Sequence, residues 1–421
     1  MRLVPVLLIA TLPFLAGCRR APVRASGPLA HDGYLWQRTH SAAVSESVRT
    51  HADAFRSIIV LAAEVSWQKS AANFTPQITR VSLDWPALRT APHLGLALRL
   101  NAHPGPFARA DPTARALAAL ASELLAEATV HGATVSEFQI DFDAATGKLA
   151  GYRAWLDTLR AAIAPVPLTF TALPAWLRSG EFPALARSAA GFVLQVHSLA
   201  RPAGPDTPFA LCDPAAARLA IERAALVGLP FRVALPTYGY TLAFDSTGRF
   251  AALSAEGPRP EWREDFIVRE IRADASELAA LVNSLTADRP AALSGLIWYR
   301  LPVAGDQLNW SWPTLASAMR GQAPAARLRA EAQLTTDGPI ELLLVNDGDG
   351  DFSGPARVGV RWHDARRTGA DALGAFAIAD EDASSLHFAT ATCRLPAGTR
   401  RAIGWLRLSS PTVSPDVFLE N

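Results

Sequence analysis

The sequence predicts an α/β protein, namely a (β/α)8 barrel of the TIM type followed by a C-terminal antiparallel β-sandwich. Between residues 31 and 325, eight short apolar runs alternate with stretches of helical periodicity. Such alternation indicates parallel βα units, and eight of them are the number that closes a barrel. From residue 326 to 421 the helical stretches stop, and short runs of β-type residues are separated by Gly, Asp and Pro turns, as in a sandwich.

The predicted elements follow the apolar runs in order. The barrel strands are expected at residues 33–38, 57–67, 94–101, 135–143, 167–173, 191–199, 231–238 and 294–301. The helices are expected at 44–55, 113–131, 149–163, 214–227 and 275–285. Asp111-Pro112 and Asp213-Pro214 each place a capping carboxylate before a first-turn proline, which favours a helix start. An open, doubly wound sheet of similar strand number is the alternative to a closed barrel.

Two stretches interrupt the alternation. Residues 68–92 are expected to hold a short extra strand around 80–83. Residues 239–272 are expected to form a hairpin insertion at the working end of the barrel, where loops usually carry function. In the sandwich, residues 346–351 resemble a calcium loop but lack its closing glutamate and its flanking helices. We therefore expect a solvated hairpin turn there rather than a bound ion.

The amino terminus carries a targeting signal. Arg2 precedes an apolar run that begins at Leu3 and ends at Leu15. A membrane-spanning helix needs about 20 apolar residues, so this shorter run predicts a cleaved signal peptide over residues 1–17. The sequence Leu15-Ala16-Gly17-Cys18 resembles the bacterial lipobox, which implies cleavage before Cys18 and its modification by lipid. The alternative is an ordinary signal peptide followed by a chance cysteine.

The lipobox also predicts where the protein works. Residues 18–30 are rich in Arg, Ala and Pro and suit a flexible tether from a membrane. Arg19 stands where an inner-membrane retention signal usually has Asp. We therefore expect a lipid-anchored protein of the bacterial cell envelope, on the periplasmic side of the outer membrane.

Composition argues against several other classes of function. The 421-residue chain has 40 basic and 39 acidic residues, so no nucleic-acid partner is expected. It has neither a phosphate loop nor a dinucleotide fingerprint, which argues against a nucleotide cofactor. Besides Cys18, the only cysteines are Cys212 and Cys393, too few for a cysteine metal site. They lie in different predicted domains, which disfavours a disulfide that an oxidising compartment would permit.

The fourth predicted strand carries the strongest chemical signal. Because side chains alternate along a strand, Gln139, Asp141 and Asp143 face the barrel interior. Two interior carboxylates are costly unless they are paired, solvated or functional, and at this spacing each perturbs the other's pKa. The alternative is a pair that holds a loop in place. Arg99 on the third strand is expected to pair with Asp141.

Other polar and aromatic residues end the neighbouring strands. Glu64 is a second possible acid at the end of strand two. The remaining candidates for substrate binding are Arg38, Gln195, His197, Tyr238, Trp298 and Arg300. Flat rings such as those of Trp298 and Tyr238 stack on the apolar faces of sugars, although each of these residues alone could equally belong to the core.

Two family resemblances emerge from these motifs. Five motifs resemble those of the bacterial family called domain of unknown function 3142, over roughly residues 30–420. They are Trp36-Gln37-Arg38, the strand-four motif 139–143, Gln195-Val196-His197, the motif 236–240 and the motif 297–300. That resemblance implies no established activity.

The second resemblance is local and distant. Strand four is similar to the Asp-x-Asp-x-Glu motif of family-18 glycoside hydrolases, the chitinases and their relatives. By position, Asp141 and Asp143 match the two aspartates that support the catalytic acid. The acid itself is replaced by Ala145, which removes the proton donor of that family's mechanism.

The sequence therefore leaves two functions open. In the first, the barrel cleaves or binds an envelope or extracellular polysaccharide, with Asp143 or Asp141 as general acid or base and Glu64 as second carboxylate. In the second, the protein is a non-catalytic glycan-binding or envelope-assembly lipoprotein, which Ala145 favours. The density of inward polar residues at the strand ends favours the enzyme.

The lipobox yields a direct test. We expect Cys18→Ser to abolish labelling with a radioactive fatty acid and to release the protein into the soluble fraction, because no other residue of the lipobox can be acylated. Labelling and cell fractionation measure both effects. Unchanged labelling and membrane association in this variant would contradict the lipoprotein interpretation.

Overall fold

The computed structural model describes residues 22–69, 74–105, 107–109, 111–199, 201–255, 261–334, 338–410 and 412–420, and in these residues eight parallel strands alternate with eight α-helices. The strands are β1 His31–Leu35, β2 Ser57–Lys69, β3 Leu94–Leu100, β4 Val135–Phe142, β5 Leu168–Ala172, β6 Gly191–Gln195, β7 Phe231–Pro236 and β8 Leu293–Tyr299. The helices are α1 Ala42–His51, α2 Trp85–Leu88, α3 Pro112–Val130, α4 Leu149–Ile163, α5 Phe182–Ala186, α6 Pro214–Ala225, α7 Ala275–Ala287 and α8 Trp312–Met319.

The parallel sheet closes on itself. Its order is β1-β8-β7-β6-β5-β4-β3-β2, and a further pairing of β1 with β2 completes the ring. This confirms the predicted barrel and rules out the open sheet. The register of β3 and β4 sets Arg99 directly opposite Asp141 at the carboxyl end of the barrel.

Alternation along the strands separates two apolar layers. On β4, Phe138, Ile140 and Phe142 belong to the large core between the strands and the helices. A smaller cluster inside the barrel includes Tyr34 and Ile297. The strands are therefore apolar on the outside, while their inner faces carry polar side chains at both ends of the barrel.

Two groups of extra strands flank the carboxyl end of the barrel, which we call its mouth. Phe74–Arg80 pairs antiparallel with the extension of β2 beyond the barrel, so the extra strand precedes the expected position of 80–83. After β7, residues 239–272 contain three antiparallel strands, with Gly239–Phe244 between Phe250–Ser254 and Ile267–Arg272. This small sheet stands over one side of the carboxyl end.

The carboxyl-terminal part is built from two four-stranded antiparallel sheets. Their strands are β9 Leu328–Gln333, β10 Ile340–Asn346, β11 Phe352–Arg361, β12 Arg367–Ala372, β13 Ala377–Glu381, β14 Ser385–Leu395, β15 Thr399–Leu408 and β16 Asp416–Leu419. The sheet orders are β9-β10-β15-β12 and β13-β14-β11-β16, and both sheets contribute to one apolar core. The strands β12, β13 and β16 lie at sheet edges, where exposure weakens the apolar alternation of their sequences.

The turn at residues 346–351 joins the two units instead of being solvated. Asp351 accepts a hydrogen bond at 2.8 Å from the backbone N–H of Ser311, which caps α8. Asp349 accepts one at 2.6 Å from the Ser317 hydroxyl and one at 2.9 Å from the backbone N–H of Ala325. The acidic residues of this turn thus tie the sandwich to the last helix of the barrel.

The amino-terminal segment is bound to the barrel as far as it is described. Arg24–Ala25 pairs antiparallel with Arg289–Pro290, so residues 22–30 are not the flexible tether that the sequence predicts. Cys18 and the signal sequence lie outside the described residues. In the described part of the chain, no helix is long and apolar enough to cross a membrane, and Cys212 and Cys393 are both buried and unbonded.

A charged cluster fills the amino-terminal end of the barrel. The fully buried carboxylate of Asp32 contacts Arg56 at 2.5 Å and Arg232 at 3.0 Å, and Arg232 also binds Glu137. Although burial alone would raise the pKa of Asp32, the two guanidinium groups hold it below its usual value. Buried charges of this kind are tolerated only in such paired arrangements.

We expect Asp32→Asn to destabilise the fold by about 1–3 kcal/mol, because the buried guanidinium of Arg232 loses one charged partner and keeps Glu137 as the other. Urea unfolding of both proteins measures the difference. The exposed Asp53, close by in the chain, supplies the matched control Asp53→Asn, which should change stability little. Equal effects of the two substitutions would contradict the pairing argument.

Candidate functional site

A cleft of about 260 Å³ opens at the carboxyl ends of the barrel strands. Active sites of such barrels are built at this end, from the strand ends and the loops that follow them. Eight of the residues singled out from the sequence line it: Arg38, Glu64, Arg99, Asp141, Asp143, Gln195, His197 and Tyr238. The barrel therefore brings together side chains that are separated by up to 200 positions in the chain.

Arg99 holds both aspartates of strand four. Its Nη1 lies 2.5 Å from Oδ2 of Asp141, and its Nη2 lies 2.9 Å from Oδ2 of Asp143. Asp141 is buried and its Oδ1 also accepts a hydrogen bond at 2.7 Å from the hydroxyl of Thr171 on β5. The expected Arg99–Asp141 pair is present, and the guanidinium additionally reaches the second aspartate.

Asp143 is the less constrained of the two carboxylates. It follows the last residue of β4, and 43% of its side chain is exposed, against 8% for Asp141. Partial burial raises the pKa of Asp143, and the adjacent Asp141 carboxylate adds to this, which together outweigh the attraction of Arg99. The site thus contains one carboxyl group that is firmly paired and one that favours its protonated form more than an ordinary aspartic acid does.

Glu64 on β2 lies beside Arg99 of β3 in the strand register, and it pairs with Arg38. Its two carboxylate oxygens each lie 2.8 Å from nitrogens of the Arg38 guanidinium, in a bidentate arrangement. The Arg38 side chain is 53% exposed, whereas that of Glu64 is 21% exposed. Solvent therefore screens this pair, and a ligand can reach the arginine from outside.

Polar groups form a chain along the wall made by β6 and β7. The Ser198 hydroxyl lies 2.5 Å from that of Tyr240, which lies 3.0 Å from that of Tyr238. The Tyr238 hydroxyl in turn lies 3.2 Å from Nδ1 of His197. Complete burial lowers the pKa of His197 to about 3, so the imidazole is neutral at physiological pH and acts in hydrogen bonding, not as a charge.

Tyr299 is the centre of the aromatic floor. Its ring stacks on His197 at 5.5 Å between centroids and meets Tyr238 edge-on at 5.3 Å. It also packs on Trp36 at 5.5 Å and on Tyr34 at 5.8 Å. Because Tyr299 is only partly buried, part of its surface remains available to a ligand.

Three predicted residues do not line the cleft. Gln139 is fully buried one layer deeper, where it accepts a hydrogen bond at 2.6 Å from the Tyr34 hydroxyl. Arg300 is also buried and binds Asp306 at 2.5 Å and the carbonyl of Ala255 at 3.0 Å, so it supports the cleft wall from behind.

The third of these, Trp298, requires a correction. It is completely buried on the helix side of β8, where its indole N–H donates to Nδ1 of His31 at 3.0 Å. Its ring cannot serve as a sugar platform. Adjacent residues of a strand face opposite sides of the sheet, so the next residue, Tyr299, occupies the position that the sequence argument assigned to Trp298.

The sequence argument missed several lining residues. These are Tyr34, Trp36, Thr171, Ser198, Ala234, Tyr240, Ala255 and Tyr299. Alternation along β5 and β8 could have identified Thr171 and Tyr299. Ser198 could not be found this way, because it follows β6 with a φ of 54°, a conformation rarely adopted by non-glycine residues.

The site contains no carboxylate at the position of the family-18 acid. Ala145 lies exposed in the turn between β4 and α4, two residues beyond Asp143. Across the described part of the chain, no group of three or more His, Cys, Asp and Glu residues could hold a metal ion.

Two family models match the chain. One, described as Domain of unknown function (DUF3142), matches residues 96–304, and the other, Domain of unknown function (DUF8456), matches residues 329–409. The first match confirms the resemblance seen in the sequence motifs, although over a shorter stretch than the expected 30–420. No curated protein sequence matches the chain.

Solved structures that are similar to this chain at low identity include a spore cortex-lytic enzyme and two chitinases. The spore cortex-lytic enzyme SleL of Bacillus cereus is 12% identical, with 66% of this chain and 72% of that chain covered and a TM-score of 0.46. A chitinase of Chromobacterium violaceum ATCC 12472 is 14% identical, with 70% and 98% covered and a TM-score of 0.46. Chitinase ChiA74 from Bacillus thuringiensis is 10% identical, with 92% and 100% covered and a TM-score of 0.44. These similarities concern the fold alone.

We expect Asp141→Asn to lower the free energy of unfolding by about 1–3 kcal/mol, because it weakens charge-assisted hydrogen bonds of a buried carboxylate while Arg99 keeps Asp143 as a partner. Thermal unfolding at neutral pH measures the loss. Asp265→Asn is the control, since Asp265 forms a similar two-contact pair with Arg263 on the exposed surface and should contribute little. A melting temperature of Asp141→Asn equal to that of wild type would refute the structural role of the Arg99 pair.

Proposed function

We propose that the cleft binds a saccharide segment of an envelope or extracellular polysaccharide. The observation that carries this proposal is the combination of carboxylates held by arginines with a partly exposed tyrosine ring in one cleft. Oriented polar groups fix the hydroxyl groups of a sugar, and aromatic rings pack on its apolar faces. Tyr299 supplies such a ring directly beside the Arg99 cluster.

The pairing of the charged groups supports binding more directly than cleavage. The carboxylates of Glu64, Asp141 and Asp143 each contact an arginine, and the expected position of the acid is Ala145. A glycosidase of the common type needs one carboxylic acid that can donate a proton and a second carboxylate that stays ionised. Paired carboxylates serve well as rigid acceptors for hydroxyl groups.

Hydrolysis is the second candidate, and Asp143 favours it. Its pKa is raised, its side chain is partly exposed, and its Oδ2 alone makes the contact with Arg99. These are properties of a general acid, with Asp141 or Glu64 as the second carboxylate of the reaction. In this case the reaction needs no proton donor at position 145.

We further propose that acyl groups on Cys18 hold the chain at an envelope membrane. The support is the lipobox sequence Leu15-Ala16-Gly17-Cys18, and Arg19 favours the outer membrane. A polysaccharide-binding barrel at this place would act on material of the envelope or outside the cell.

The two candidate functions separate in one experiment. The purified Cys18→Ser protein is titrated with a panel of chitin oligosaccharides, peptidoglycan fragments and extracellular polysaccharides by calorimetry, and products are analysed by mass spectrometry. Binding without product supports the first candidate and rejects hydrolysis. Binding with product supports the second, and absence of binding across the panel rejects a glycan function.

For a glycan that is cleaved, we expect Asp143→Asn to lower kcat by about 10²–10⁴-fold, because an amide cannot donate the proton. Affinity and melting temperature should stay near those of wild type, since Arg99 retains Asp141. The wild-type rate should fall as the pH rises through the raised pKa of Asp143, because the acid must be protonated. An Asp143→Asn protein with wild-type kcat would exclude Asp143 as the acid.

A further inference from the structure

The described chain begins close to the residue that carries the proposed anchor. Pro22 is four positions after Cys18, and an extended chain advances about 3.3–3.6 Å per residue. Cys18 therefore lies within about 14 Å of Pro22 in any conformation. The position of Pro22 on the barrel consequently limits how the whole protein can sit on a membrane.

Residues 23–27 are fastened to the barrel by backbone hydrogen bonds. The N–H of Ala291 donates to the carbonyl of Val23 at 2.7 Å, and the N–H of Gly27 donates to the carbonyl of Thr286 at 2.8 Å. Between them, Arg24–Ala25 pairs with Arg289–Pro290. The segment thus adds a short strand to the outside of the barrel.

Arg24 strengthens this attachment through two carboxylates. Its guanidinium contacts Asp288 at 2.6 and 2.8 Å and Glu222 at 2.7 and 2.9 Å. Asp288 ends α7, and Glu222 lies in the last turn of α6. Both helices are thereby linked to the segment, which fixes the described chain to the barrel from residue 23 onward.

The attachment lies at the end of the barrel opposite to the cleft. Arg289–Pro290 immediately precedes β8, so it marks the amino-terminal end of that strand. Helices in this barrel run antiparallel to the strands, and the ends of α6 and α7 therefore lie on the same face. The candidate glycan cleft is at the carboxyl ends of the strands.

We propose that the amino-terminal face of the barrel rests on the lipid bilayer and that the cleft points away from it. This inference rests on the acyl anchor proposed above. A tether of about 14 Å is shorter than the about 20 Å that a seven-residue barrel strand such as β3 spans. The carboxyl end therefore cannot turn toward the membrane while Cys18 is held in it.

The chemistry of this face suits a lipid surface. Val23, Val130 and Leu226 are 76%, 83% and 52% exposed. Val130 and Leu226 each lie a few residues before a barrel strand, and Val23 directly precedes the short strand Arg24–Ala25. Arg89, Arg187 and Arg223 lie exposed at the ends of α2, α5 and α6 on the same face. Asp288 and Glu222 on the same face are paired with Arg24, and apolar side chains beside arginines favour contact with the interface of a membrane.

The orientation restricts the ligand. The cleft is held on the order of 20 Å or more from the lipid surface, which is the length of the barrel strands. A glycan bound there must be a polymer that stands clear of the membrane, and not a sugar on a lipid embedded in the same leaflet.

Fluorescence quenching tests the orientation on the lipidated full-length protein. Single cysteines are introduced by Leu226→Cys and Val130→Cys on the amino-terminal face and by Leu253→Cys in the insertion beside the cleft. Leu253 is the matched control, because it is an exposed leucine, at 40%, on the opposite side. Cys212 and Cys393 are buried, and the unaltered protein gives the labelling background.

Each labelled protein is reconstituted into vesicles of phosphatidylethanolamine and phosphatidylglycerol that carry a quencher at headgroup depth. We expect quenching at positions 226 and 130 to be several-fold greater than at position 253. Equal quenching at all three positions, stronger quenching at 253, or no quenching at 226 and 130 in vesicle-bound protein would overturn the proposal. Since the vesicles contain no other protein, a face that binds a protein partner instead of lipid gives the last result.

Two controls keep this test separate from the proposals on which it rests. Mass spectrometry of the purified protein reports whether Cys18 is acylated, and an unmodified Cys18 overturns the orientation together with the anchor. Glycan titration of the same vesicle-bound protein reports the function of the cleft independently. A protein that binds glycan but shows equal quenching retains the proposed function and loses the orientation.

Discussion

The mouth of the barrel depends on one guanidinium group placed between two carboxylates. Arg99 joins β3 to β4 through side chains in addition to the backbone ladder, and it gives Asp141 and Asp143 different environments. Asp141 is buried and also bound by Thr171, so it serves the architecture. Asp143 keeps contact with solvent and has a raised pKa, so it is the carboxyl group that faces the open cleft. Two identical side chains, two residues apart, thereby acquire different roles.

The same face of β4 carries polar residues along its whole length. Glu137, Gln139, Asp141 and Asp143 follow one another at every second position, and they contact Arg232, Tyr34 and Arg99 on other strands. Uncompensated polar groups inside a barrel are costly, and pairing across the barrel removes that cost. The interior therefore combines a ladder of polar contacts, which runs from the Asp32 cluster to the mouth, with the small apolar cluster that includes Ile297.

Much of this arrangement could be predicted from the sequence, because strand alternation is a strictly local property. The pairing of Arg99 with Asp141 followed from the adjacency of two strands, and the structure supplied their register. The assignment of Trp298 to the cleft was wrong for a related reason, since a shift of one residue reverses the face on which a side chain lies. Ser198 and Tyr240 come together from a loop after β6 and an inserted strand, and such contacts depend on loop conformation. The joint at residues 346–351 was equally hidden, because its aspartates bind backbone and hydroxyl groups that no sequence pattern marks.

That joint has a consequence for cooperativity. The N–H of Ser311 at the start of α8 finds its acceptor in Asp351, and Asp349 binds both the same helix and the linker at Ala325. Without the sandwich, the N–H of Ser311 and the other donors of the barrel lose their hydrogen-bond acceptors. Without α8, the aspartates of the turn at residues 346–351 lose their hydrogen-bond donors. Barrel and sandwich are therefore expected to melt in a single transition and not as independent modules. A chimaera in which one unit is replaced by a foreign domain would therefore need that domain to supply the missing hydrogen-bond partners of this joint.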